Sequence, residues 1–213
     1  MMKTDNLIAA LSQNLEPVRP GQVARLLAIG LFSGMAVSAA IMVPWLGLRP
    51  DLDSAMMTGP FWIKFAYTLA LALCGLKLVE RQARAGGKSR LALLLAGLTF
   101  LAMAGLAVVQ LLPADAPRHA MIMGKTAKVC TRNILVLSLP IIAGLFWALR
   151  QLAPTRLVLA GLSAGLLAGA AGAWVYAFHC DESAAPFMAI WYTLGIAAAG
   201  LVGAALGRFA LRW

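Results

Sequence analysis

Six runs of about twenty apolar residues constrain this chain more than anything else in it. They fall at roughly 26–48, 60–79, 91–112, 131–149, 157–178 and 187–207. About 20 helical residues cross the roughly 30 Å hydrocarbon layer of a bilayer, so each run suffices for one span. Charged residues make up 12% of the chain, about half the share of an ordinary soluble domain. The pattern predicts an all-α, polytopic membrane protein with six transmembrane helices joined by short connections, which favours antiparallel neighbours. No cleavable signal peptide is expected, because the first apolar run begins near Leu26 after a polar segment and is too long for a signal core.

The formal net charge of +10 invites a nucleic-acid reading. Its distribution argues against one. The Lys and Arg sit in caps between apolar runs, with no basic stripe, zinc motif or aromatic platform, so no direct nucleic-acid partner is expected. The charge instead sets topology. Lys3, Arg19, Arg25, Arg81, Arg84, Lys88, Arg90, Arg150, Arg156, Arg208 and Arg212 lie on the side of the termini, against Arg49, Arg118, Lys125, Lys128 and Arg132 on the other. The positive-inside rule therefore places both termini in the cytoplasm. Trp45, Trp62, Trp191 and Tyr192 fall where an outer aromatic belt would lie. Lys64 and Lys77 fall inside the second run near its ends and read as snorkelling side chains. "AGLSAGLLAGAAGA" and "GIAAAGLVGAALG" provide small-residue stripes, suited to close helix packing or to a homodimer face.

Ahead of the first run, residues 1–25 read as a separate cytoplasmic segment, leaving 26–213 as the membrane domain. Thr4, Asp5 or Asn6 can cap a helix on which Leu7, Ile8, Leu11 and Leu15 share one face, and Pro17 and Pro20 end it. So short a helix is marginal alone in water. Its stripe needs either the membrane surface or a groove on a cytoplasmic protein.

The three cysteines are too few and too scattered for a disulfide framework. Cys74, inside the second run, reads as a small apolar residue. Cys130 and Cys180 differ. Counted outward from the short "RQLAP" connection, Cys130 lies about 30 Å up one helix and Cys180 about 36 Å up the next. Both then reach the outer membrane surface at similar height, in a compartment that permits disulfides. A redox or soft-metal sensing pair, a permanent bridge and two unpaired thiols all remain open at this point. Lys128 and Arg132 flank Cys130 and could favour its thiolate. His179, Asp181 and Glu182 beside Cys180 are candidate auxiliary residues. No CxxC or HxxxH spacing supports a dedicated metal site, and no cofactor motif is present.

These pieces together resemble the NrsF-type proteins, negative regulators of sigma F: six-span anti-sigma factors of proteobacterial inner membranes. The likeness rests on "MKTDNLIAALSQNLEPVRP", "LGLRPDL", "FWIKFAYTLALAL", the "VC" opening the fourth run, "LSLPIIAGLFWALRQLAPTRLVLAG", "YAFHCDE", "IWYTLGI" and "GRFALRW". It covers nearly the whole chain in register. The resemblance implies a non-enzymatic role. The N-terminal segment, through Leu7, Ile8, Leu11 and Leu15, would hold an extracytoplasmic-function sigma factor inactive. Two outer-face cysteines, matching Cys130 and Cys180, would trigger its release under heavy-metal or oxidative stress. The rival readings are a small transporter, for which paired intramembrane acids and broken helices are lacking, and a membrane thiol oxidoreductase, for which a CxxC and a second cysteine pair are lacking.

Overall fold

The computed structural model describes residues 21–84, 90–113, 115 and 117–212. The proposed N-terminal helix, with Leu7, Ile8, Leu11 and Leu15, lies outside the described residues. Among those described, every regular element is helical. They are α1 (Gln22–Leu46), α2 (Leu52–Met56), α3 (Gly59–Ala83), α4 (Arg90–Leu111), α5 (Arg118–Met123), α6 (Ala127–Arg150), α7 (Leu157–Tyr176) and α8 (Ala185–Ala210, with a π-helical turn at Met188–Tyr192). Six helical stretches are long and apolar enough to cross a membrane: α1, α3, α4, α6 with the short α5 before it, α7 and α8. They coincide with the six runs read from sequence to within a few residues. The outward surface of α4 carries Leu91, Leu94, Leu98, Leu101 and Val108, the kind of face lipid solvates and water does not.

Local chemistry sets the helix ends. Gly47, at φ 77°, ends α1 and turns its N–H back to the carbonyls of Met42 and Val43. Pro60 and Pro186 sit in the first turns of α3 and α8, where a missing N–H costs nothing. Pro140 lies inside α6 and removes a helix hydrogen bond there. In the same turn, the buried Ser38 hydroxyl of α1 donates to the Leu137 carbonyl.

Tertiary packing depends on missing side chains. A Cβ added at Gly30 of α1 would strike the Gly144 carbonyl of α6, and the converse holds, while Gly34 lies against Ile141. Gly75 of α3 meets Leu167 of α7. Gly161, Gly165 and Gly169 of α7 meet Gly203, Ala199 and Ile196 of α8. All these pairs run antiparallel. The two small-residue stripes are therefore taken up against each other within the chain, the close helix packing expected from sequence.

Candidate functional site: a buried thiol pair and its lysine

Antiparallel packing of α6 and α7 brings Cys130 and Cys180 to the same end of the bundle. Cys130 sits in the first turns of α6, its N–H bonded to the Thr126 carbonyl at 2.8 Å. Cys180 follows α7 directly, its N–H bonded to the Tyr176 carbonyl at 3.1 Å. Both belong to one apolar cluster with Tyr176, Phe187, Met188 and Tyr192. They are free thiols, 0% and 1% exposed. The expectation that they share one height holds, but they do not stand at the surface. The flanking turns cover them, because the α7–α8 connection folds inward and α8 begins with the buried Ala185, Pro186 and Phe187.

That connection is tied to most of the structure around it. Arg49 donates its backbone N–H to the Phe178 carbonyl at 3.1 Å, and His179 Nδ1 lies 3.0 Å from the Gly47 carbonyl. The Glu182 carboxylate accepts the Lys125 N–H at the α5–α6 turn. Ala185 donates its N–H to Gln110 of α4 at 2.9 Å. Trp191 Nε1 donates to the Ile122 carbonyl at 2.9 Å, and Tyr67 and Thr193 share a 2.7 Å hydrogen bond. His179 and Glu182 thus stitch the turn to neighbouring loops, and Asp181 is exposed. Among the described residues, no three His, Cys, Asp or Glu side chains are grouped as a metal ion would require.

Lys64 is the residue the sequence misjudged. It does not snorkel: it is 0% exposed, and Nζ donates to the Cys180 carbonyl at 2.8 Å. The side chain is instead turned inward beneath the α7–α8 connection, where the Cys180 carbonyl serves as acceptor and the buried Tyr192 ring lies 6.0 Å from Nζ. Lys77, by contrast, is exposed and pairs with Glu80 at 3.2 Å, as a snorkelling lysine can. Lys128 and Arg132, the cations nearest Cys130 in sequence, face outward. Tyr192 also departs from expectation. It is buried against the thiols, while Trp45 and Trp62 are exposed as belt residues should be. The warning for Lys64 was its position inside an apolar run. No signal marked Tyr176 or Tyr192, because an aromatic residue near a span end ordinarily reads as interfacial.

Outside the spans, Arg49 grips Asp51 with two hydrogen bonds, 2.8 and 2.7 Å long. These bonds, donated by Arg49 and accepted by Asp51, hold the Asp51 carboxyl below its usual range and the guanidinium above its own. With the folded value depressed, this tie contributes stability above the unfolded value and loses it as pH falls through the folded one. Carboxyl NMR should find the Asp51 midpoint below about 3.9, and Arg49→Met should return it there.

Residues 11–213 match the family model described as NrsF, negative regulator of sigma F. The chain is 39% identical to the anti-sigma-F factor NrsF of Caulobacter vibrioides, with all of both chains covered. It is 38% identical to the probable anti-sigma-F factor NrsF of Azospira oryzae, again over all of both chains. No solved structure matches. By family match and by full-length identity, the chain belongs to the NrsF family of negative regulators of sigma F.

Proposed function

We propose that this chain is an inner-membrane anti-sigma factor with both termini in the cytoplasm. Its segment 1–25 sequesters an extracytoplasmic-function sigma factor, with Leu7, Ile8, Leu11 and Leu15 as the docking face. It releases that factor when heavy-metal or oxidative stress modifies Cys130 and Cys180 from the periplasmic side. The observation that carries this reading is a continuous line of backbone contact. Cys130 opens α6, and α6 lies backbone to backbone against α1 at Gly30–Gly144 and Gly34–Ile141. The chain running into α1 is the docking segment itself. A shift of the outer turn of α6 can therefore move α1 without passing through a loop.

The energy required is small. A tenfold weakening of sigma binding needs about 1.4 kcal/mol of difference between two states of the bundle. The rival oxidoreductase would need a second thiol pair to relay electrons. Cys74 lies ten residues along α3 from Lys64, or about 15 Å by helical rise, and it has no cysteine partner.

The test is capture of the sigma factor by the full chain in detergent, with a peptide of residues 1–25 alongside. Burying one leucine contributes about 1.5–3 kcal/mol. Leu7→Glu with Leu11→Glu is thus expected to weaken capture at least a hundredfold. If neither the full chain nor the peptide binds a sigma factor, the proposal fails.

A further inference from the structure

A buried ammonium requires a counter-charge, and among the described residues no carboxylate lies within ion-pair distance of Lys64. No ion pair within 4.0 Å forms at Nζ. Three other charged side chains lie within electrostatic reach, Arg49, Asp51 and Asp181. Arg49 is already paired with Asp51, and Asp181 is exposed. The buried groups within the same reach that can carry a negative charge are the two thiols.

The polar groups around them are arranged in a way that fits. Nζ spends one N–H on the Cys180 carbonyl and lies 6.0 Å from the centre of the Tyr192 ring. The Tyr176 and Tyr192 rings are 6.0 Å apart. The buried Tyr176 phenol faces Asn133 and the Cys130 thiol, and the buried Tyr192 phenol faces the Cys180 thiol. Each phenol is thus placed to donate its O–H to a sulfur. Cys130 adds one more element. Its place in the first turns of α6 puts it near the positive end of that helix.

We infer that Lys64 is the counter-ion of the Cys130–Cys180 pair: its amine takes the proton from one thiol and holds the resulting thiolate in an enclosed site that Tyr176, Tyr192 and Asn133 complete. The S–H bond breaks and an N–H bond forms, so no proton leaves the site and no net charge is buried. Lys64 is a positioning residue. It keeps one sulfur nucleophilic inside an apolar cluster where a neutral thiol would otherwise be inert. The inference rests on the reading of Cys130 and Cys180 as the reactive pair, and it concerns their chemistry alone, not the sigma factor.

The experiment uses the full chain with Cys74→Ser, reconstituted in lipid nanodiscs without any sigma factor. Infrared spectroscopy at neutral pH counts S–H oscillators. One per chain is expected, and two would overturn the inference, whatever the fate of any Lys64 variant. In parallel, methyl methanethiosulfonate, a small neutral thiol reagent, is followed by mass spectrometry. Lys64→Met is expected to slow modification of the pair at least tenfold and to restore the second S–H, with Lys64→Arg within about threefold of the parent. A Lys64 that only held the packing together would act oppositely, because its loss would expose the thiols and speed their modification. A rate in Lys64→Met that is unchanged or faster overturns the inference. Either failure leaves sigma capture by residues 1–25 untouched, so the two proposals fall separately.

Discussion

Gly161→Leu is expected to disrupt the bundle, with a loss of about 3 kcal/mol or more, the upper end of what overpacking costs. In a chain of this length, that loss corresponds to a fall in Tm on the order of 10 °C. The reason is geometric. A Cβ at Gly161 would stand 2.9 Å from the Gly207 Cα and 3.1 Å from the Gly203 carbonyl carbon, and it would run into the Gly203 oxygen. Backbone cannot step aside as a side chain can, so α7 and α8 would have to separate along their whole contact. α7 also packs on α3 through Gly75 and on α6 through Gly172, and the loss would spread to both. Gly97, on the outward α4, has nothing within 4 Å of its added Cβ. Gly97→Ala should therefore be neutral or stabilise by up to about 1 kcal/mol through helix propensity. Thermal unfolding in one detergent compares the two directly. Equal midpoints for Gly161→Leu and the parent would refute the packing account.

The contrast between those glycines marks where sequence reading reaches its limit. The six long apolar helices were legible because a bilayer imposes one length and one composition on every helix able to cross it. Their pairing was partly legible, since short connections leave few arrangements. The α7–α8 stripes announced close packing, but periodicity cannot say whether the partner is another helix of the chain or another copy. Gly30 and Gly144 were not singled out, because each is one glycine in an apolar run and only the fold shows that they face each other. The thiol pair followed from counting helical rise. Its burial did not, since that depends on the α7–α8 connection folding inward under Arg49, His179 and Glu182. Lys64 was visible as an anomaly and was assigned the commoner fate of an intramembrane lysine. What decided otherwise was the inward fold of the α7–α8 connection, which sets the Cys180 carbonyl within reach of Nζ.

Cys130→Ser and Cys180→Ser, each alone, are expected to hold a sigma-dependent reporter within about twofold of its uninduced level under cadmium or hypochlorite. Cys74→Ser should leave induction intact. Serine preserves the shape of the site and adds a hydroxyl in place of a weak thiol donor, so sigma capture at rest should persist. That persistence separates lost sensing from lost folding. The burial of the pair sharpens the prediction, because a thiol 0% or 1% exposed reacts only with a reagent that enters the cluster or when the outer turns open. A bulky, membrane-impermeant maleimide should therefore label the resting protein poorly, whereas a small neutral reagent reaches the same sulfurs. Opening would begin at the ties that cover Cys180, of which the Glu182–Lys125 bond is exposed. Glu182→Gln keeps the carbonyl acceptor for the Lys125 N–H and should change labelling little. Glu182→Ala removes it and should raise maleimide labelling of Cys180 several-fold. If both cysteine variants induced normally, the thiols would have no part in release, and the line of contact from α6 to α1 would be packing alone.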